Sequence, residues 1–219
     1  MFKEINQSGR SMIEMLGVLA IIGVLSVGGI AGYSKAMTKF KINKTMQQIT
    51  EIATNIRTLY AQQKDFNGLN NTMAIQMGII PDELATGSGT SYSYKGPVQK
   101  ISHAFGGDIF ITDDITDDGF EDSSFGIELT NLTKESCIAL ASADWGTTDS
   151  SGVIGIIIGY ASDPGSHIYT STSNLNSSCG TVTLDNQYAT CPNSTKPISP
   201  AIAASVCEQI PNFGIRFRK

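Results

Sequence analysis

The chain has 219 residues, of which 41% are hydrophobic and 16% are charged, and its formal net charge is -5. A chain of this length can bury one sizeable core, and its acidic balance gives no general electrostatic case for binding nucleic acid. The basic residues at 216–219 are too few to change this expectation, so no nucleic-acid partner is predicted.

A run of 20 uncharged residues, Met15 to Ser34, lies near the start of the chain and directly follows the carboxylate of Glu14. As a helix it would span roughly 30 Å, enough to cross the hydrocarbon core of a bilayer. A carboxylate at the edge of hydrocarbon is costly unless it has a partner, so Glu14 is a candidate functional residue. An ordinary signal peptide is the alternative, but its apolar region has only ~7 to 15 residues.

The residues after the apolar run show the pattern of an amphipathic helix. Apolar residues recur at spacings of three and four, at Ile42, Met46, Ile49, Ile52, Ala53, Ile56, Leu59 and Tyr60. The other face is polar, with Lys39, Lys44, Gln48, Glu51, Asn55 and Gln62. No proline occurs from Met12 to Lys64, so one helix of roughly 50 residues, or ~75 Å, is predicted. A coiled-coil stalk is disfavoured because no heptad pattern continues beyond the stripe.

The N-terminal segment resembles that of a type IV prepilin or pseudopilin: a short polar leader ends at Gly9, Glu14 follows five residues later, and the apolar helix comes next. The resemblance implies cleavage between Gly9 and Arg10 by a membrane-embedded prepilin peptidase, with methylation of the new amino terminus. It also implies that Glu14 meets the terminal amine of a neighbouring subunit. Alternatively, Arg10 neutralises Glu14 within one helix, since the two are four residues apart.

Five glycines occur in the apolar run, and three of them are candidate positions for helix packing or for local melting of the helix. Gly28 and Gly32 have the small-xxx-small spacing that lets helices approach closely. Adjacent glycines also weaken a helix, each by ~1 kcal/mol relative to alanine. The family resemblance implies that part of this helix melts in the assembled filament, and we expect the melting at Gly28 and Gly29. The alternative is that these glycines have no specific role, because glycine is frequent in any membrane helix.

The remaining residues are expected to form one head domain, so that the chain divides into a leader (1–9), a helix (10–63) and a head (64–219). The head is rich in Gly, Ser, Thr, Asn and Asp, and its predicted strands are Asp108–Thr112, Phe125–Leu129 and Gly152–Tyr160. Two short helices are predicted, at Lys134–Ala141 and Pro200–Gln209. The expected fold class is therefore α+β, with the long helix packed on an antiparallel sheet.

Four segments of the head occur in an order similar to that of type IVb major pilins of the PilS-like group. They are Gly78-Ile79-Ile80-Pro81, then residues 104–109, then Phe125-Gly126-Ile127, then residues 132–140. With the N-terminal segment, the resemblance covers residues 9 to 140. It implies the pilin fold.

Four cysteines lie in the C-terminal part of the sequence: Cys137, Cys179, Cys191 and Cys207. An even number in a loop-rich, membrane-anchored domain predicts disulfides and an oxidising compartment, although three connectivities are possible. We expect a Cys137–Cys207 bond enclosing a Cys179–Cys191 bond, which would close the C-terminal region that pilins expose on the filament surface. Lysines after the apolar run favour the opposite orientation by the positive-inside rule, but the cysteines place the head outside.

Metal sites and catalytic sites are not predicted, and no cofactor is expected. A zinc site is disfavoured because no cysteine pair has Cys-x2-Cys spacing and neither His103 nor His167 has ligand spacing to the cysteines. The acidic stretch at 113–122 fits an EF-hand except at its last position, where Phe125 replaces the required Glu, so we expect a solvated turn with Asp118-Gly119 at its tip. A weak calcium site in this loop stays an alternative. His103 is expected at the surface or at a strand edge rather than as a catalytic base.

These observations predict a structural protein rather than an enzyme: the major subunit of a type IV pilus, held in the bacterial inner membrane before assembly and exposed on an extracellular filament afterwards. The expected partners are further copies of the chain in a helical homo-oligomer, the prepilin peptidase and the pilus assembly machinery. A type II secretion pseudopilin and a minor pilin acting as an adhesin are the alternatives that share this N-terminus.

Overall fold

The structure is a computed structural model that describes residues 12–93, 96–117, 120–146, 151–159, 188–189, 197–209 and 211–218. The chain divides into two units, one ending at Phe40 and the other beginning at Lys41. Helix α1 (Met12–Leu59) begins in the first unit and ends in the second. The predicted continuous helix is confirmed, and it ends four residues before the predicted position 63.

The second unit contains the head, which has three short helices and seven strands among the described residues. In chain order these are α2 (Asn71–Gln76), β1 (Ala85–Ser93), β2 (Gly96–Ser102), β3 (Ile109–Asp117), β4 (Phe120–Leu129), α3 (Lys134–Ala141), β5 (Val153–Ile158), β6 (Tyr188–Ala189), α4 (Pro200–Val206) and β7 (Phe213–Arg218). β1 and β2 form a two-stranded sheet, and the other five form a sheet in the order β3-β4-β7-β5-β6. Every pairing is antiparallel, as the sequence predicted.

The core is formed by one face of the five-stranded sheet and the second half of α1. On β4 and β7, apolar residues alternate and lie directly opposite each other in three pairs: Phe125 with Phe217, Ile127 with Ile215, and Leu129 with Phe213. They form one buried cluster with Ile49, Ile52 and Ile56 of α1. Each such side chain stabilises the fold by roughly 1.5–3 kcal/mol when fully buried. This packing fixes the second half of α1 on the sheet.

Strand β7 contains residues 216–218 of the basic segment. β7 lies between β4 and β5 in the middle of the sheet, and Arg216 is only 2% exposed. The Arg216 guanidinium donates a hydrogen bond to the Ser124 hydroxyl on β4 (3.2 Å). The segment is thus a central strand of the core, and the alternation of Phe213, Ile215 and Phe217 was a signal for it that the sequence analysis missed.

Two residues of α1 lie on the face opposite to the one predicted. Leu59 was assigned to the apolar stripe but is 51% exposed, and Gln48 was assigned to the polar face but is buried. The Gln48 amide donates to the Glu83 carboxylate (3.5 Å), which also pairs with Lys44 (2.8 Å). The segment containing Glu83 therefore lies over this part of the helix, a contact between residues remote in sequence.

The two sheets are bridged by the side chain of Asn71, the first residue of α2. Its Nδ2 donates to the carbonyl of Ile109 on β3 (2.7 Å) and to the carbonyl of Gln99 on β2 (3.1 Å). Its Oδ1 accepts a hydrogen bond from the N–H of Ile111 on β3 (2.7 Å). The amide side chain thus occupies hydrogen-bonding positions along β3 that a neighbouring strand would fill, and it links β3 to β2.

Candidate functional site: the exposed apolar helix and the disulfide-bonded head

The first part of α1 exposes a large apolar surface. Twelve large apolar side chains between Met12 and Ile30 are each more than half exposed. The first buried residue of the helix is Ile42, beyond this segment. The apolar surface therefore has no cover among the described residues of the chain.

The size of this surface can be expressed as the free energy that its burial would contribute. Burying a fully exposed Val, Leu, Ile or Met side chain contributes ~1.5–3 kcal/mol, so covering twelve such side chains contributes at most about 18–36 kcal/mol. A continuous exposed apolar surface of this size is typical of a segment that lies in lipid or against other protein chains. Among the described residues α1 is the only helix whose length and apolar composition suit a membrane span, and a signal sequence would meet the same criteria.

Glu14 lies in the first turn of α1 and is exposed. A carboxylate at this position is favourable for the helix itself, because it lies near the unsatisfied N–H groups and the positive end of the helix dipole. Gly9 and Arg10 lie outside the described residues. The structure therefore places the candidate assembly carboxylate at the N-terminal end of the apolar surface, while the predicted cleavage position stays a prediction.

The three candidate glycines lie on this exposed helix. A methyl group added at Gly28, Gly29 or Gly32 would meet no other atom within 4 Å. The fold of the single chain therefore does not require glycine at these positions on steric grounds. The helix is continuous through Gly28 and Gly29 in the single chain. Their predicted roles in packing and melting concern the filament and stay predictions.

The head contains the Cys137–Cys207 disulfide, which confirms the expected outer bond. Cys137 lies in α3, whose N-terminus is capped by the Thr133 hydroxyl, and Cys207 follows α4, which is capped by Ser199. The bond joins residues 70 apart in sequence, and both cysteines are buried. Closing a loop of this length stabilises the fold by about 4 kcal/mol in the loop-entropy account. Cys179 and Cys191 lie outside the described residues.

His103 directly follows strand β2 and is buried, so the surface position that was one of its two predicted locations was wrong. Its Nδ1 accepts a hydrogen bond from the N–H of Phe105 (3.2 Å), and its Nε2 lies 2.9 Å from the carbonyl of Thr130. Since Nδ1 acts as an acceptor, the neutral ring carries its proton on Nε2 and donates it to Thr130. Burial lowers the pKa of His103, while the Thr130 carbonyl and Asp108 oppose this shift. Both ring nitrogens are therefore engaged in holding the turn after β2.

The described residues of the acidic stretch at 113–122 lie in two paired strands. Strands β3 and β4 pair as far as Asp117 with Phe120, so the strands on both sides of the predicted turn are confirmed, while the turn itself stays a prediction. Asp118 and Gly119 at its tip, and the side chains of 114–123, lie outside the described residues. Asp113 is buried and accepts a hydrogen bond from the N–H of Gly68. No cluster of three or more metal-ligating side chains occurs within the part of the chain that the structure describes.

Arg57 forms a further contact that the sequence analysis did not identify. Its Nε donates to the carbonyl of Arg218 at the end of β7 (3.1 Å), and its guanidinium lies 5.1 Å from the centre of the Phe217 ring. Gly152, with φ +65°, lies against this guanidinium, and a methyl group there would collide with it. No local sequence signal indicates this contact, because the residues are remote in sequence.

Comparisons with known proteins give one family, two relatives and one solved structure to which the chain is similar. The family described as "PilS N terminal" matches residues 39–196, well over half of the chain. The "Major structural subunit of bundle-forming pilus" of Escherichia coli O127:H6 (strain E2348/69 / EPEC) is 27% identical over 143 residues, which cover 65% of this chain and 67% of that protein. The protein of the same description from Escherichia coli O111:H- matches to the same extent. The crystal structure of type IV b pilin from Salmonella typhi covers 80% of this chain and 97% of its own, with 16% identity and a TM-score of 0.44.

Proposed function

The chain belongs to the PilS N-terminal family, and we propose that it is the major structural subunit of a type IVb pilus, a structural role without catalysis. The observation that carries the proposal is the contrast along α1. Its large apolar residues are exposed from Met12 to Ile30, whereas from Ile42 onward they are buried in the head except for the partly buried Met46 and the exposed Leu59. A filament core of bundled apolar helices covers the first part and leaves the heads outside. The two relatives described as major structural subunits support this role.

Maturation of the subunit requires removal of the leader. A membrane-embedded prepilin peptidase cleaves between Gly9 and Arg10, and the new terminal amine is methylated. This step rests on the prepilin-like spacing of Gly9 and Glu14. Before assembly the apolar helix lies in the bacterial inner membrane, which has the thickness that such a helix spans. After assembly the head faces the extracellular medium, which suits its disulfide.

Glu14 directs the entry of each subunit into the filament. The free-energy cost of desolvating a carboxylate among apolar helices is offset only by a close ion pair. The terminal amine of a neighbouring subunit supplies the opposite charge. Each subunit then uses different surfaces towards successive neighbours, which is an open, heterologous assembly. The pilus assembly machinery supplies the work of extracting the helix from the membrane.

The first experiment is to shear filaments from expressing cells and to measure the intact mass and the N-terminal sequence of this chain in them. The proposal expects an abundant mature chain that begins at Arg10 and lacks free thiols. A processed chain found only in the membrane would support the pseudopilin alternative. A processed chain that is rare in sheared filaments would support a minor pilin. An unprocessed chain in filaments would refute cleavage at Gly9.

The role of Glu14 is tested by Glu14→Ala, with Glu51→Ala as the matched control because Glu51 is an exposed glutamate of the same helix. Loss of one partner from a buried ion pair costs about 3–5 kcal/mol, so filament incorporation of Glu14→Ala should fall at least a hundredfold while peptidase processing is unchanged. Normal incorporation would refute the pairing. If Arg10 instead neutralises Glu14 within one chain, the double variant Arg10→Ala/Glu14→Ala should assemble normally.

A further inference from the structure

A tight turn at the start of the head presents Asn67 and Gly68 to solvent. The flanking residues Phe66 and Leu69 are fully buried, whereas Asn67 and Gly68 are exposed. The N–H of Leu69 donates to the carbonyl of Phe66 (3.0 Å), and Gly68 has φ +84°. These features define a type II turn with glycine at its third position. Asn67-Gly68 is the only Asn-Gly dipeptide in the sequence.

The nitrogen of Gly68 is held by a residue remote in sequence. Its N–H donates to the carboxylate of Asp113 on β3, and Asp113 is buried. Because the acceptor is a carboxylate, this is a charge-assisted hydrogen bond. The N–H of Asn67 donates to the carboxylate of Asp65 (3.2 Å). The turn therefore has a carboxylate on either side of the Asn67-Gly68 peptide bond.

We propose that Asn67 is a site of spontaneous deamidation and that Asp113 controls its rate by holding Gly68. The nitrogen of Gly68 attacks Cγ of Asn67, the Gly68 N–H proton passes to solvent base, and ammonia leaves from the side-chain amide after taking up a proton. A five-membered succinimide ring results. Water then opens either carbonyl of the ring, which yields aspartate or isoaspartate at position 67. Glycine favours the attack because it has no side chain to shield its nitrogen.

The native turn opposes this ring closure. The Gly68 nitrogen must turn towards Asn67 Cγ, so its hydrogen bond to Asp113 has to break and the dihedral angles of the type II turn must change. An open cleft of about 530 Å³ borders Asn67, Gly68 and Asp113, and it gives the asparagine side chain and water room once the turn opens. Local opening of the turn is therefore the step that limits the reaction.

The product prevents the turn from closing again in its original form. A carboxylate at position 67 adds a negative charge to a turn whose N–H groups are already bound by the carboxylates of Asp65 and Asp113, and like charges repel. Isoaspartate also lengthens the main chain by one methylene group, which displaces Gly68 from Asp113. Deamidation thus converts a transient opening of the turn into a permanent change of charge and shape on the head surface.

The test uses the full-length chain in detergent, incubated at neutral pH and digested with trypsin at intervals. Mass spectrometry of the peptide 65–95 measures aspartate and isoaspartate at position 67. Loss of a charged hydrogen bond should make Asp113→Ala deamidate about tenfold faster than the wild type, with Asp113→Asn between them. Asn193-Ser194 in the same chain is the internal control and should react equally in all three proteins. Asn67→Gln should abolish the reaction in this peptide.

Three results would overturn the proposal. Wild-type chain that deamidates at Asn67 as fast as the same chain in denaturant would show that the native turn gives no protection. Asp113→Ala that reacts no faster than the wild type would show that Asp113 does not hold the turn closed. Loss of the native Trp145 emission in Asp113→Ala would show general unfolding rather than release of Gly68.

Discussion

Replacing Asn71 with leucine should separate the two sheets of the head while keeping the number and branching of the side-chain heavy atoms. The variant loses three hydrogen bonds, to Ile109, Ile111 and Gln99. Asn71 is only 1% exposed, so the backbone groups it serves would lose their partner in the interior. Each lost bond contributes ~0.5–1.5 kcal/mol and each buried unpaired group adds to the cost, so about 4 kcal/mol is expected in total. For a chain of this size the Tm should fall by about 8–16 °C.

The assay is guanidinium unfolding of the full-length chain in detergent, followed by tryptophan fluorescence. Trp145 is the only tryptophan and stacks on Phe213 of β7, with ring centres 5.6 Å apart, so its emission reports the packing of the head. Asn70→Ala is the matched control. Asn70 caps α2 by accepting a hydrogen bond from the N–H of Met73, and losing a cap costs ~1 kcal/mol.

Two results would refute this account of Asn71. An Asn71→Leu variant as stable as Asn70→Ala would show that the bridge between the sheets contributes little. A tolerated Asn71→Asp would be equally damaging, because the carboxylate keeps the bond from Ile111 but faces the carbonyls of Ile109 and Gln99 without a proton to donate. Asn71→Asp should therefore destabilise the head at neutral pH at least as strongly as leucine.

Three further predictions concern the remaining contacts of the head. Burial lowers the pKa of His103 in the folded state, so below the ordinary pKa of histidine the unfolded chain binds more protons than the folded chain. The free energy of unfolding should therefore fall as the pH drops from 7.5 to about 5. His103→Gln should remove this part of the pH dependence in equilibrium unfolding. Gly152→Ala should lower the free energy of unfolding by about 2 kcal/mol or more. The loss should be smaller in an Arg57→Ala background, because the guanidinium no longer occupies the site. Equal losses in the two backgrounds of this double-mutant cycle would exclude the contact. Replacing Cys137 and Cys207 with alanine should lower the free energy of unfolding by about 4 kcal/mol, as measured by denaturant titration; a loss below about 1 kcal/mol would contradict the loop-entropy account.

Elements with a strong local pattern were predictable from the sequence. Helix α1 follows from a proline-free run of apolar and then amphipathic spacing, and α3 was predicted with its observed bounds, Lys134–Ala141. The hairpin of β3 and β4 follows from Asp118-Gly119 between two strand-forming segments. Strand β1 was missed, because its residues Ala85–Ser93 are mostly small and polar and show no apolar alternation.

Side-chain environments were less predictable than the elements themselves. His103 was expected at the surface or at a strand edge, but Thr130 and the turn that follows His103 enclose its ring. Gln48 was expected on the polar face of α1, but the segment containing Glu83 covers it. In each case the residue that decides the environment lies 27 or more positions away in sequence, so no local periodicity reports it.

The sequence by itself determined the long helix, its apolar first half, the position of Glu14 and the presence of cysteines for disulfides. These features depend on the residues themselves and on their spacing along the chain. Only the tertiary structure decided that β7 lies in the middle of the sheet, that Asn71 joins the two sheets and that Asp113 holds Gly68. These contacts join residues about 28 to 90 positions apart, and their geometry exists only once the core of α1 and the sheet has brought the segments together.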